Sequence, residues 1–390
     1  MTEKRSETGD GPVFDYTSSA PWEQVIRAYG DVTDVDEAVR EMVADGLSKD
    51  EAWEAIWDYE VRRFEHDPAF RTSVRDIYRT AGVDLLSVTP WTHDSSISER
   101  AGQRRDLARW QSRFDSADWL RKVTSPEQAR RVAAEDDVGI VLNTQNVDGA
   151  IDGSLADIDV LYNEGVRLFQ LTYNYQNRLA TGCNDPAEGG LSKFGRAAVD
   201  RINELGGIVD ISHCGKQTTL DTIEYSDKPV AVTHATCQAV AQHYRGKTDQ
   251  ELEALSDADG YIGIVTLPWF IAPGVDEPTL DIFLEHLAHA VSIVGADNVG
   301  LGTDFYPADS LFPPELLEYY KDHIVELGFD REKVEQRTIA AGIGEFETYG
   351  NWPVVRQRLE ERFPEAAEGI LGENFLDFWE RSQGNATDGW

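Results

Sequence analysis

Short apolar runs rich in β-branched residues recur along the chain, separated by stretches of helical periodicity. In order they fall at residues 13–15, 83–88, 138–143, 166–171, 207–212, 229–233, 261–266 and 299–303. Between them, segments such as 194–205, 216–225 and 280–294 place apolar residues at i, i+3 and i+4, the spacing of one helix face. The runs are continuous rather than alternating, as expected of strands buried on both faces, so the pattern predicts a parallel sheet covered by helices. Eight such units predict an α/β fold of the (β/α)8 TIM-barrel type. An open doubly wound sheet is the alternative, disfavoured because no glycine-rich phosphate turn follows the first run.

The first two runs are too far apart for a bare barrel unit. Residues 20–82 carry helical periodicity at 35–43, 51–64 and 72–80, which predicts a helical insertion after the first strand. Residues 313–390 predict a helical C-terminal region, broken at Pro353 and Pro364. Without an internal repeat or a low-complexity linker, residues 1–390 read as one elaborated domain.

Composition narrows the function classes. The 10 Trp, 14 Tyr and 15 Phe among 390 residues fill a large core and exclude global disorder. A formal charge of -35, from 71 acidic against 36 basic residues, repels phosphate backbones and anionic lipid, which argues against nucleic-acid or membrane partners. Only nine of the basic residues are lysine. An acidic coat this dense suggests a halophilic protein, in which counter-ions at high salt screen the self-repulsion. No apolar stretch reaches 18 residues and the N-terminus is polar, so the expectation is a soluble cytoplasmic protein. Cys183, Cys214 and Cys237 are odd in number and lack CxxC spacing, which fits a reducing compartment without a disulfide framework.

In a barrel of this kind chemistry gathers at the C-terminal ends of the strands. The fifth run leads to His213 in DISHCG, the sixth to His234 in VTHATC and the eighth to Asp304 in GLGTDF. A single strand-end histidine is most often structural. Two on successive strands, joined by a carboxylate, make a plausible ligand set for a borderline divalent ion such as zinc. Arg245, in HYRGKTD, would hold a substrate carboxylate or else form a surface ion pair; the residues alone leave both open. Other strand ends present Thr17 and Ser19, His93 and Asp94, Gln145, and Tyr173 with Asn174. Gln145 is neutral and a poor ligand; Tyr173 either donates to a carbonyl or oxyanion or simply packs. The cysteines beside the histidines read as small core residues.

The ordered set GVRLFQLTYNYQNRLATGC, GGLSKFGRAAVDRINELGGIVDISHCG, KPVAVTHATCQAV, HYRGKTD, DNVGLGTDF and ILGENFL resembles the membrane (renal-type) dipeptidase family of metallopeptidases, over roughly residues 135–378. The resemblance implies a (β/α)8 barrel with a two-zinc site that hydrolyses dipeptides. It places His213 and His234 on the ligands of the second zinc, Arg245 on the arginine that holds the substrate carboxylate and Asp304 on the catalytic aspartate. It also exposes departures. The His-x-Asp pair for the first zinc is replaced by Thr17 and Ser19, the bridging glutamate by Gln145, and the histidine that contacts the scissile group by Tyr173. Two dications need nearby carboxylates to offset their repulsion, and Thr, Ser and Gln supply none. The expectation is therefore a dipeptidase-like hydrolase with at most one metal, a zinc held by His213 and His234. Asp304 is third ligand or general base, assisted by Tyr173, while Arg245 and Gln145 contact a dipeptide or other small carboxylated substrate. A barrel that keeps the pocket and has lost the chemistry is the alternative. Oligomeric state is not legible, and a homodimer stays open.

Overall fold

Eight parallel strands follow one another around a nearly closed barrel in chain order. They are β1 (Phe14–Asp15), β2 (Leu85–Val88), β3 (Val138–Thr144), β4 (Val166–Gln170), β5 (Ile208–Asp210), β6 (Ala231–Cys237), β7 (Tyr261–Ile264) and β8 (Val299–Leu301). Each pairs with its sequence neighbour from β1 through β8, so the predicted barrel and all eight strand positions are found. The computed structural model describes residues 11–16, 41–42, 44–91, 97–135, 137–275, 278–305, 321–322, 325, 331 and 343–383. Thr17, Ser19, His93 and Asp94, and most of the 35–43 and 313–342 segments, lie outside the described residues.

The strands are buried along their whole length, which is why the sequence shows runs rather than alternation. One layer of side chains, from Phe14, Leu85, Val141, Leu168, Ile208, Ala231 and Tyr261, joins Phe375, Phe378 and Trp379 in a single cluster. Most of these barrel residues stand at the starts of their strands. The C-terminal helix Asn374–Gln383 therefore closes the N-terminal end of the barrel, with Phe14 and Phe375 stacked at 4.2 Å between ring centroids. Each fully buried Val, Leu, Ile or Phe among them contributes about 1.5–3 kcal/mol by leaving water. Gly372 permits the approach: a Cβ there would lie 2.1 Å from the Pro12 carbonyl oxygen.

No ladder pair joins β8 to β1 among the described residues, and a carboxylate spans the seam. The Thr303 backbone N–H donates to Asp15 Oδ1 at 3.1 Å and its hydroxyl to Asp15 Oδ2 at 2.9 Å.

The described part of the insertion forms the helices Lys49–His66 and Pro68–Ala81. Ser48 opens the first with a capping box, and Asp67 caps the second, which begins with proline. Phe70, Val74, Tyr78 and Ala81 form the buried stripe of the second helix. The first docks on the helix Glu99–Ser116 through buried Arg109, whose guanidinium donates to Glu54 Oε2 at 2.7 Å and to Asp58 Oδ1 at 2.9 Å. In the C-terminal region the described helices are Trp352–Arg362 and Asn374–Gln383.

Candidate active site

The fifth and sixth strands carry the two histidines to one point at the C-terminal end of the barrel. His213 lies in the turn just beyond β5. His234 lies inside β6, not after it: the sequence pattern ends that strand at 233, whereas pairing with a returning segment extends it to Cys237. That segment, Gly246–Lys247, runs parallel to β6 with Thr236 opposite Gly246 and Cys237 opposite Lys247. Between Val232 and Ala235 the pairing of β6 with β7 slips by one residue. Such a bulge bends the strand and re-aims side chains, and it falls on Thr233 and His234. Gly302 then brings β8 close, since a Cβ there would lie 2.0 Å from the Thr233 carbonyl oxygen and 3.0 Å from His234 Cβ.

The two imidazoles meet with Nε2 to Nε2 at 3.0 Å, and both are almost fully buried. Their outer nitrogens are held as well: His213 Nδ1 lies 2.9 Å from Asn174 Oδ1, and His234 Nδ1 lies 2.9 Å from Thr233 Oγ1. Tyr173 stacks on the His213 ring at 4.3 Å between centroids, with Trp91 next to it at 5.8 Å, and Tyr16 stacks on His234 at 5.5 Å. Tyr173 is thus a packing partner of the pair, and burial pushes its phenol well above the usual tyrosine range.

Arg245 and Lys247, both buried, fasten the backbone behind the histidines. Arg245 donates from one terminal nitrogen to the Ser212 carbonyl at 2.6 Å and from the other to the His234 carbonyl at 3.1 Å. Its guanidinium lies over the Phe270 ring at 5.3 Å, and its Nε has no partner among the described residues. This removes the surface ion-pair reading. Lys247 Nζ donates to the Ile211 and Cys214 carbonyls, each at 3.0 Å, and to Thr219 Oγ1 at 2.8 Å. Burial first, then the charges of Arg245 and Lys247 and, for His213, the neighbouring imidazole, hold both histidines well below their ordinary pKa. They are neutral at physiological pH.

Asp304 is half-buried and adopts a left-handed backbone, with φ 50°, a conformation that aspartate tolerates better than most residues. Desolvation pushes its carboxyl up to about 7, against the pull of Arg245, which places it in the same electrostatic field as the arginine. Among the described residues no group of three His, Cys, Asp or Glu side chains is placed to hold a metal ion. Gln145 is buried at the end of β3, and its carbonyl accepts from Gln170 Nε2 at 2.6 Å. Cys183, Cys214 and Cys237 are free thiols. Cys183 touches Asn174 Oδ1 at 3.7 Å, and burial raises all three thiols above the ordinary range.

Sequence reasoning gave no role to Asp210, Thr233, Lys247 or Tyr16. Asp210 is fully buried. It accepts from Tyr16 Oη at 3.0 Å, from the Ser212 N–H at 2.9 Å and hydroxyl at 2.6 Å, and from the Thr233 N–H at 3.4 Å and hydroxyl at 2.5 Å. Burial raises its proton affinity and these donors oppose the rise. The only sequence signal was position: Asp210 precedes His213 by three residues and Thr233 directly precedes His234.

Residues 82–336 match the family model for membrane dipeptidase (peptidase family M19). An uncharacterized dipeptidase of Schizosaccharomyces pombe is 34% identical over 160 residues, which is 40% of this chain and 38% of that protein. The dipeptidase verJ of Clonostachys rogersoniana is 35% identical over 149 residues, 37% of each chain. The matched segments thus span well under half the length of these curated relatives. Among solved structures, the dipeptidase AC, a metallopeptidase of family M19, aligns with TM-score 0.69 at 18% identity over 96% of this chain and 99% of that one. A metallopeptidase of Rhodobacter sphaeroides, liganded with a phosphinate mimic of the dipeptide L-Ala-D-Ala, aligns with TM-score 0.67 at 17% identity over the same shares. Both share the barrel. No helix among the described residues is long and apolar enough to cross a membrane. With the family model covering most of the chain and the barrel delivering its histidines to one mouth, the chain belongs to the membrane dipeptidase family, peptidase family M19.

Proposed function

We propose that this chain is a dipeptidase-like hydrolase that cleaves the amide bond of a dipeptide or a similarly small carboxylated substrate and holds at most one divalent metal. The observation that carries the reading is the pair of buried, neutral imidazoles with Nε2 atoms 3.0 Å apart. Two neutral imidazole nitrogens turned to one point are the donor type that a zinc ion would take. His213 and His234 would supply two of the ligands of a single zinc. The donor set does not fit a bridged pair, because the position at the end of β3 holds the neutral amide of Gln145.

A bound zinc supplies Lewis acidity toward the amide carbonyl. The rest falls to the chain. Asp304, with its carboxyl near neutrality, takes a proton from the attacking water and returns it to the leaving amine nitrogen as the C–N bond breaks. Arg245 offers its Nε–H, which has no partner among the described residues, to the substrate carboxylate. The Tyr173 hydroxyl and the Gln145 amide orient the substrate from the ends of β4 and β3. The reading is tested by elemental analysis of protein purified without chelator, together with turnover on a dipeptide panel at high salt. About one zinc per chain and hydrolysis are expected. Two tightly held zinc ions overturn the one-metal assignment, and bound metal without turnover favours a pocket that only binds its ligand.

A further inference from the structure

We infer that Asp210, acting through Thr233, and Asn174 are positioning residues that fix the tautomers of the histidine pair, so that both rings carry their proton on Nδ1 and both Nε2 lone pairs face the space between them. The inference deepens the proposed function and rests on reading that pair as the metal holder.

The argument is a count of protons. A threonine hydroxyl has one hydrogen to give. Asp210 accepts from five donors, two of them main-chain N–H groups, which is the setting of an ionised carboxylate, so the Thr233 hydroxyl donates to Oδ2, 2.5 Å away. At the 2.9 Å contact between Thr233 Oγ1 and His234 Nδ1, the ring nitrogen must then be the donor. His234 therefore carries its proton on Nδ1, and its Nε2 is a bare lone pair. The Ser212 hydroxyl, 2.9 Å from Thr233 Oγ1 and 2.6 Å from Asp210 Oδ1, does not reverse this: whichever of the two it donates to, the Thr233 hydrogen is still needed between Thr233 Oγ1 and Asp210 Oδ2. For His213 the partner is an amide oxygen. Asn174 Oδ1 lies 2.9 Å from Nδ1 and also faces the Cys183 thiol at 3.7 Å; an oxygen with no proton of its own makes the ring donate again.

The consequence is specific to the metal-free state. Two lone pairs 3.0 Å apart repel one another and are relieved by a cation between them. If either ring instead carried its proton on Nε2, an N–H···N hydrogen bond would close the gap and compete with the ion. Ligating histidines are commonly oriented by a carboxylate or carbonyl on the far nitrogen. Here the carboxylate reaches its histidine through one hydroxyl, and it does so crosswise: Asp210 stands on the strand leading to His213, yet the histidine it fixes is His234 on the next strand. Tyr16, donating to Asp210 at 3.0 Å while stacking on His234, ties β1 into the same relay.

The test is nitrogen-15 NMR of the imidazoles in metal-free protein, beside zinc titration by competition calorimetry. The parent should show both protons on Nδ1. Thr233→Val keeps the side-chain shape and removes the relay. It should move His234 toward the Nε2-protonated form, leave His213 unchanged and weaken zinc binding about 10–100-fold. Thr233→Ser should restore both properties. An Nε2 proton on His234 in the parent overturns the inference, and this reading needs no variant to fold. A folded Thr233→Val protein with parental tautomers and parental zinc affinity overturns it equally. If the parent takes up no zinc while the tautomers behave as stated, the metal-holding reading fails and the positioning role stands.

Discussion

The two sides of the barrel mouth answer burial in opposite ways. On the β5–β6 side, His213 and His234 sit against buried Arg245 and Lys247, and lost solvent together with cationic neighbours drives the imidazoles neutral. On the β8–β1 side stand two carboxyls, Asp304 and Asp15, and the same loss of solvent pushes each up to about 7. Burial disfavours whichever form is charged, so it commits the bases to donating lone pairs while leaving the acids poised to exchange a proton near neutral pH. In the proposed reaction the first side holds a cation and the second handles the proton.

That division breaks most visibly at Asp304. Asp304→Asn should lower kcat/KM by about 10²–10⁴-fold, the usual worth of a positioned general base, without reducing zinc content. In the parent, kcat/KM should rise as pH climbs through about 7, because the deprotonated carboxylate is the active form. A rate independent of pH between 5 and 8 would remove the proton-handling role from this side.

Arg245 sharpens the comparison, since it faces both sides. Arg245→Lys keeps the charge and loses the planar fork, and with it both backbone carbonyl bonds cannot be kept alongside the Nε donor. Binding of a carboxylated ligand should weaken by roughly 1–3 kcal/mol, read by calorimetry beside a thermal melt. Unaltered affinity would confine Arg245 to fastening β5 and β6.

The smallest expected effect is on stability. The folded-state pKa of Asp15, about 7, lies above its ordinary value of 3.8. The stability linked to its proton is therefore full below the ordinary pKa and is lost as pH rises through about 7. Tm should fall between pH 5 and 8, and Asp15→Asn should flatten that slope. Lowering KCl from molar to about 0.1 M lengthens the Debye distance from about 3 to about 10 Å. It should lower Tm at every pH through the acidic coat, while leaving the Asp15 slope in place because that group is buried. An equal slope in the Asn variant, or an unchanged Tm at low salt, would dispose of the respective claim.

Much of this was legible in the chain. Burial on both faces writes a strand as an uninterrupted apolar run, so the eight strands, the barrel and the convergence of His213 and His234 followed from local pattern and order. The 21-residue spacing of the histidines is one strand-to-strand repeat, which the sequence states directly. Tertiary structure decided what depends on partners distant in the chain. The bulge at Thr233 and His234 exists only in register with β7, and the return of Gly246–Lys247 onto β6 buries Arg245 and Lys247 behind the site. The seam of the barrel is spanned by the two bonds from Thr303 to Asp15, 288 residues apart. The orientation of His234 comes from Asp210, whose carboxylate meets Thr233 only after two strands align. Apolar periodicity is set by which face leaves water, a property each short segment carries by itself. Hydrogen-bond direction and pKa are set by which groups share a small dry volume, and that volume does not exist until the barrel closes.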